Sequence, residues 1–215
     1  MPIRELCESL VNTEKSGKSP VRVPEKAALR RELLAARARL SAEDVTAAAT
    51  ALAAGALALA ELADARTVAA YVSVGREPGT RALLDALRGR GVRVLLPVLL
   101  ADNDLDWAVY GGAEHLLPAG RGLLEPDGPR LGPAAVVEAD AVLLPGLAVD
   151  GAGMRLGRGG GSYDRVLARL SAAGADPALV VLLYADEVVA RVPVEPHDHP
   201  VDAVVTPAGA RRFTA

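Results

Sequence analysis

The chain has 215 residues, 51% apolar and 24% charged, with a formal net charge of −3. That is enough for one folded domain, lies far from disordered compositions, and lacks the basic surplus of a dedicated nucleic-acid binder. A single cysteine, Cys7, excludes an internal disulfide and a cysteine zinc cage, and 3% aromatics leave little material for base stacking.

The 24 basic residues include only three lysines, Lys15, Lys18 and Lys26. A Walker A loop, a kinase-type strand lysine and a Schiff-base lysine in the body of the domain are therefore excluded. The longest uncharged run lies between Asp44 and Glu61; it is alanine-rich, broken by Gly55, and too short for a membrane span. No basic–apolar–small signal opens the chain, so the expected compartment is the cytoplasm.

Residues 1–24 show no period and read as a flexible N-terminal extension. Helical spacing begins near Glu25, with Ala28, Leu29, Leu33, Ala36 and Leu40 on one face and Lys26, Arg30, Glu32 and Arg37 elsewhere. Ser41 to Asp44 reads as a capped start for an Ala/Leu helix running to about Leu62. Val68 to Val74 predicts a strand, Thr80 to Arg88 a helix, and Val92 to Val98 and Leu105 to Tyr110 two more strands. Residues 111–134 read as a loop-heavy connection. A strand from Ala141 to Leu144, a glycine-rich loop and a helix from about Ser162 to Leu170 follow. Strands at Leu179 to Tyr184 and Ala203 to Thr206 close the chain. Uniformly apolar strands alternating with helices predict an α/β fold, a parallel sheet covered on both faces, in one domain over residues 25–215.

Ligands in such sheets gather at strand carboxyl ends beside helix N-termini. The segment "LLPGLAVDGAGMRLGRGGGSYDR" has that context: a strand, six glycines between 151 and 161, Arg155 and Arg158 among them, then a helix. Backbone N–H groups, a helix N-terminus and two fixed cations suit a polyphosphate. A plain mobile loop is the other reading. The dinucleotide pattern Gly-x-Gly-x-x-Gly does not fit, because Leu156 stands where its third glycine belongs.

Asp164, in the first turn of that helix, serves either the helix dipole or a Mg²⁺ ion beside phosphates. In "EPHDHP", two histidines without a third ligand make a weak zinc site, and Asp198 is the better partner for a hard cation. Glu77 follows a strand end, a place from which a carboxylate reads amide or amino edges, or is merely solvated. Lys26 and Arg30, one turn apart, either reach an anion together or lie on a solvated face. Trp107 and Tyr110 are expected in the core. Ser162 has no nearby base, so a hydrolase nucleophile is not indicated.

The order Lys26-x-x-x-Arg30, "YVSVGREPGT", "GLLEP", the glycine-rich segment ending in Tyr-Asp-Arg, and "HDHPVDAVVT" resembles the 5-formyltetrahydrofolate cyclo-ligase (methenyltetrahydrofolate synthetase) family over Glu25 to Thr206. The resemblance implies a three-layer α/β/α Rossmann-like sandwich of the NagB/RpiA/CoA-transferase-like kind, and an ATP- and Mg²⁺-dependent ligase of one-carbon metabolism. It implies that Lys26, Ala27, Ala28, Leu29, Arg30 and the run Arg155, Leu156, Gly157, Arg158, Gly159, Gly160, Gly161, Ser162 and Tyr163 hold ATP. Val72, Glu77 and Arg158 to Ser162 are then expected against the folate, Asp164 and Asp198 on magnesium, and Arg155, Arg158 and Tyr163 in catalysis. Two positions depart from the pattern: Gly160 stands where many relatives carry lysine, and Ser162 where they carry a second tyrosine.

The implied reaction closes 5-formyltetrahydrofolate to 5,10-methenyltetrahydrofolate through a phosphorylated formyl group, releasing ADP and phosphate. The alternative is a non-catalytic folate- or nucleotide-binding paralogue of the same fold. A metal-independent sugar-phosphate isomerase and a plain interaction domain rank below both. A monomer acting on small molecules, without nucleic-acid or membrane partners, is the simplest expectation.

Overall fold

The computed structural model describes residues 25–196 and 198–213; the expected N-terminal extension and His197 lie outside them. Helix α1 (Lys26–Ala38) buries Leu29 and Leu33 as their spacing predicts. The stripe continues into Arg37, which is 3% exposed, so this arginine belongs to the buried face and not to the polar one. Helix α2 (Ala42–Leu57) begins at the expected capping box: Asp44 N donates to Ser41 Oγ (3.0 Å) and Ser41 N to Asp44 Oδ2 (3.1 Å). It stops at Leu57, short of Leu62. The break at Ala58 and Leu59 leads into a one-turn α3 (Ala60–Ala63), which lets Leu59 and Leu62 join the same core as Leu52 and Ala56.

The remaining elements are β1 (Thr67–Ala69), α4 (Arg81–Gly89), β2 (Arg93–Leu99), β3 (Leu105–Val109), β4 (Leu116–Pro118), β5 (Leu124–Pro126), β6 (Ala141–Pro145), β7 (Ala148–Val149), β8 (Arg155–Leu156), α5 (Ser162–Ala172), β9 (Ala178–Leu182), β10 (Ala203–Thr206) and β11 (Gly209–Arg212). Three differences from the sequence reading stand out. The first strand ends at Ala69; Ala70 N still donates to Leu95 O (2.8 Å), and residues 71–74 lie beyond the strand. The stretch 111–134 holds the β4–β5 hairpin. An unforeseen strand, β11, pairs antiparallel with β10 at the end of the chain.

The main sheet has the order β11-β10-β9-β6-β1-β2-β3. Its five inner strands are parallel, and β3 and β11 run antiparallel at the two edges. Alternate residues divide it into two cores. Val68, Val94, Leu143, Val180 and Val205 face α2 and α4, whereas Ala69, Leu95, Val142, Leu144 and Val181 face α5 and the short 3-10 helix Pro133–Glu138. Each leucine fully buried there, such as Leu83 or Leu144, contributes about 2 kcal/mol. The three-layer α/β/α expectation holds, and Trp107 and Tyr110 are core residues.

Helix α1 lies on neither core. Leu29 and Leu33 pack instead on Leu147, Ala148, Leu156 and Val192, that is, on the β7–β8 hairpin and the segment after β9. Neighbouring strands β1 and β6 send their following connections in opposite directions across the sheet. This is the point where a crevice opens at the strand carboxyl ends. Among the described residues no helix is long and apolar enough to cross a membrane.

Candidate active site

At that crevice the loop after β1, the ends of β2 and β6, and the glycine-rich loop enclose a cavity of about 340 Å³. Val72, Glu77, Arg155 and every residue from Gly157 to Asp164 line it, so most of the candidate positions share one wall. Lys26 to Arg30 approach the same loop from its other side. Arg30 Nε donates to Gly157 O at 2.9 Å. Its guanidinium lies so close to Gly159 (φ +89°) that a Cβ there would sit 3.2 Å from Arg30 Cζ, so the backbone favours glycine and any side chain would make Arg30 shift. Leu29 is buried and Leu156 packs with it; both support this wall and expose little side chain to a ligand.

Arg155 is the pivot. Its side chain returns to the end of β6, Nη1 donating to Pro145 O at 2.9 Å, while Nη2 lies 3.4 Å from Asp164 Oδ1. Burial pulls Arg155 below the ordinary arginine value, and the Asp164 and Asp198 carboxylates oppose that pull. Its Nε and the Tyr163 hydroxyl are both buried and have no hydrogen-bond partner among the described residues. Burial raises the Tyr163 phenol well above the usual range, so it is a neutral donor. Two unpaired donors beside a glycine loop fit an anionic ligand.

Glu77 reaches across from the loop after β1. Its Oε2 accepts from Val74 N (2.9 Å) and its Oε1 from Arg158 Nη1 (3.1 Å). Asp198 stands by Lys26, whose Nζ donates to Asp198 Oδ2 and to Glu195 Oε2, each at 2.6 Å. Burial works against the Lys26 charge, but the bonds to Asp198 and Glu195 prevail and raise it above its ordinary value. Among the described residues no group of three His, Cys, Asp or Glu gathers as a metal site. Two carboxylates, Asp164 and Asp198, act on the same guanidinium, and that donor chemistry suits a magnesium ion that takes its other oxygens from phosphate and water. His115 is engaged by Asp127 (3.1 Å).

The model of the 5-formyltetrahydrofolate cyclo-ligase family matches residues 22–207. The chain belongs to that family. It is 46% identical over 149 residues to the 5-formyltetrahydrofolate cyclo-ligase of Mycolicibacterium smegmatis, covering 66% of this chain and 74% of the relative. It is 34% identical over 146 residues to the Escherichia coli cyclo-ligase, covering 67% and 79%. Among solved structures it is similar to the Aquifex aeolicus 5,10-methenyltetrahydrofolate synthetase, with a TM-score of 0.75 and 28% identity over 88% of this chain and 93% of that one. The expected cyclo-ligase family, α/β fold and ligase class of folate one-carbon metabolism therefore stand.

Several supporting residues escaped the sequence reading. Arg37 forms a buried pair with Glu187 (Nε–Oε1 2.6 Å, Nη2–Oε2 2.9 Å) and donates to Gly146 O at 2.7 Å, fixing α1 against the start of the loop. Asp150 holds the β7–β8 turn by accepting from Ala152, Met154 and Val192 N–H groups. The available signal for Arg37 was its place at i+8 from Leu29 and i+4 from Leu33; Asp150 carried none.

Proposed function

We propose that this chain converts 5-formyltetrahydrofolate to 5,10-methenyltetrahydrofolate, using ATP and Mg²⁺ and releasing ADP and phosphate. The observation that carries the reading is the division of one cavity between a cationic, glycine-lined wall after β6 and a wall with Glu77 after β1. The N5-formyl group is amide-like and resists attack by the neighbouring N10. Its oxygen attacks the γ-phosphorus of ATP, and the bond to the ADP oxygen breaks. N10 then bonds to the activated carbon and loses its proton. The carbon–oxygen bond breaks, phosphate departs and the conjugated methenyl cation remains.

This sequence needs charge neutralisation and positioning more than a protein nucleophile. Arg155, with its unpaired Nε, and Arg158 neutralise the transferring phosphoryl group, and Tyr163 donates a neutral hydrogen bond. Gly157 to Ser162 offer backbone to phosphates on one side and folate on the other. Lys26 and Arg30, placed by Ala27, Ala28 and Leu29, hold the nucleotide from α1. Asp164 and Asp198 hold magnesium, which supplies countercharge to the polyphosphate. Glu77 and Val72 receive the pterin, the carboxylate reading its amino and amide edge.

The test mixes purified protein with 5-formyltetrahydrofolate and MgATP and follows the near-ultraviolet absorbance of the methenyl product, omitting ATP or Mg²⁺ in turn. Growth that requires both is expected. Folate or nucleotide binding without growth favours the non-catalytic relative, a reading kept in view by Gly160 and Ser162, which remove a cation and a ring from the loop.

A further inference from the structure

The cavity extends beyond the residues assigned so far. From the glycine loop after β6 it crosses the ends of β1 and β2 and reaches the start of β3, where Pro97, Leu99, Leu105 and Leu124 give it an apolar lining. The cations that line it are Arg155, Arg158 and Arg121, and only Arg121 stands at this far end. Arg121 has a left-handed backbone (φ 60°) that non-glycine residues rarely adopt. Among the described residues one other non-glycine residue does so, Asn103 (φ 65°), and the two are joined: Arg121 Nη1 donates to Asn103 Oδ1 at 3.0 Å.

Among the described residues no carboxylate pairs with the Arg121 guanidinium. The partner of Arg121 is a neutral amide. The nearby carboxylates are engaged elsewhere: Glu125 accepts from Leu99 N (3.0 Å) and lies 3.9 Å from Arg130, Asp102 pairs with Arg165, and Asp104 pairs with Arg169. An exposed arginine, held by its backbone at the end of a stretch that is apolar but for Glu125, whose carboxylate is turned to Leu99 N, suits a ligand with a flat apolar middle and an anionic end.

Building on the proposed folate substrate, we propose that Arg121 binds the carboxylate of its glutamyl tail. A reduced folate is a pterin joined through a benzoyl ring to glutamate. With the pterin at Glu77, the ring lies along Leu99, Leu105 and Leu124, and the tail carboxylate meets Arg121. The residue thereby sets preference for glutamylated over unglutamylated substrate.

The test is calorimetric binding, without ATP, of 5-formyltetrahydrofolate and of 5-formyltetrahydropteroate, which lacks the glutamate. Asparagine tolerates the left-handed backbone, so Arg121→Asn removes the cation and keeps the turn. Its expected effect is about tenfold weaker binding of the folate with pteroate binding unchanged, and Arg121→Lys restores part of the loss. Equal weakening of both ligands, or of neither, overturns the assignment. Folate bound but never converted by the unaltered protein refutes the proposed reaction while the Arg121 comparison still reads; failure to bind either ligand refutes both.

Discussion

Asp164 Oδ1 lies 3.4 Å from Arg155 Nη2, joining the first turn of α5 to β8 beside two buried donors that have no partner among the described residues. Asp164 is 43% exposed while Arg155 is 7% exposed, so the carboxylate faces the ligand side and the guanidinium is held from behind. Asp164→Asn keeps the volume and the helix start. Turnover is expected to fall at least about a hundredfold, with the thermal midpoint moved little. Near-normal turnover with an unchanged Mg²⁺ dependence removes Asp164 from the metal set.

The Arg37–Glu187 pair is the chief buried ion pair behind the site, with side chains 4% and 3% exposed. Glu187→Gln leaves a guanidinium without its countercharge and is expected to cost about 3–5 kcal/mol in chemical denaturation. Replacing both residues, Arg37→Met with Glu187→Leu, recovers most of that loss because no buried charge remains.

Adjacent glycines in the glycine-rich loop differ in what they tolerate. At Gly160 nothing lies within 4 Å of a built Cβ and the backbone is not left-handed, whereas Gly159 is left-handed and pressed against Arg30. Gly160→Lys is expected to fold normally and to lower KM for MgATP about three- to tenfold, an effect that salt weakens. Gly159→Ala is expected to raise that KM by displacing Arg30. Equal behaviour of the two variants in a steady-state titration contradicts this account.

Asp104 ties the start of β3 to α5 through Arg169 (2.6 Å). Burial acts to raise its carboxyl, but Arg169 and the Leu105 N–H prevail and hold it below the ordinary value of 3.8. A depressed acid contributes stability above its unfolded value and loses it as pH falls through the folded one. Unfolding followed from pH 6 downward should show this loss below about pH 4. Asp104→Asn should be about 1 kcal/mol less stable at neutral pH and flatter in the acid range.

The sequence was most legible where one segment carries its own cause. Ala141 to Leu144 is buried on both faces and reads as an inner strand. Ser41 and Asp44 lie close enough to cap a helix by themselves, and the glycine run declares its loop. What stayed hidden depends on partners far along the chain. Arg37 needs Glu187, 150 residues away, and Lys26 needs Asp198, 172 away, before either is more than a helix charge. The exposed polar strand Gly209–Arg212 has no apolar alternation to betray it. Arg121 was unreadable because its meaning comes from Asn103 and from a cavity that only the sheet order creates.

The seat of α1 has a kinetic consequence. All its described polar tie points, Gly146, Gly157, Glu187, Glu195 and Asp198, and its apolar seat fall in two segments outside the main sheet. Detaching it leaves both sheet cores covered, so this helix is expected to open as a separate cooperative unit, below the free energy of global unfolding. Its amides should exchange with deuterium ahead of those of β6 and β9. On the proposed seat of the nucleotide against Lys26 and Arg30, adding it should act as a clasp and slow exchange in α1 far more than in the strands.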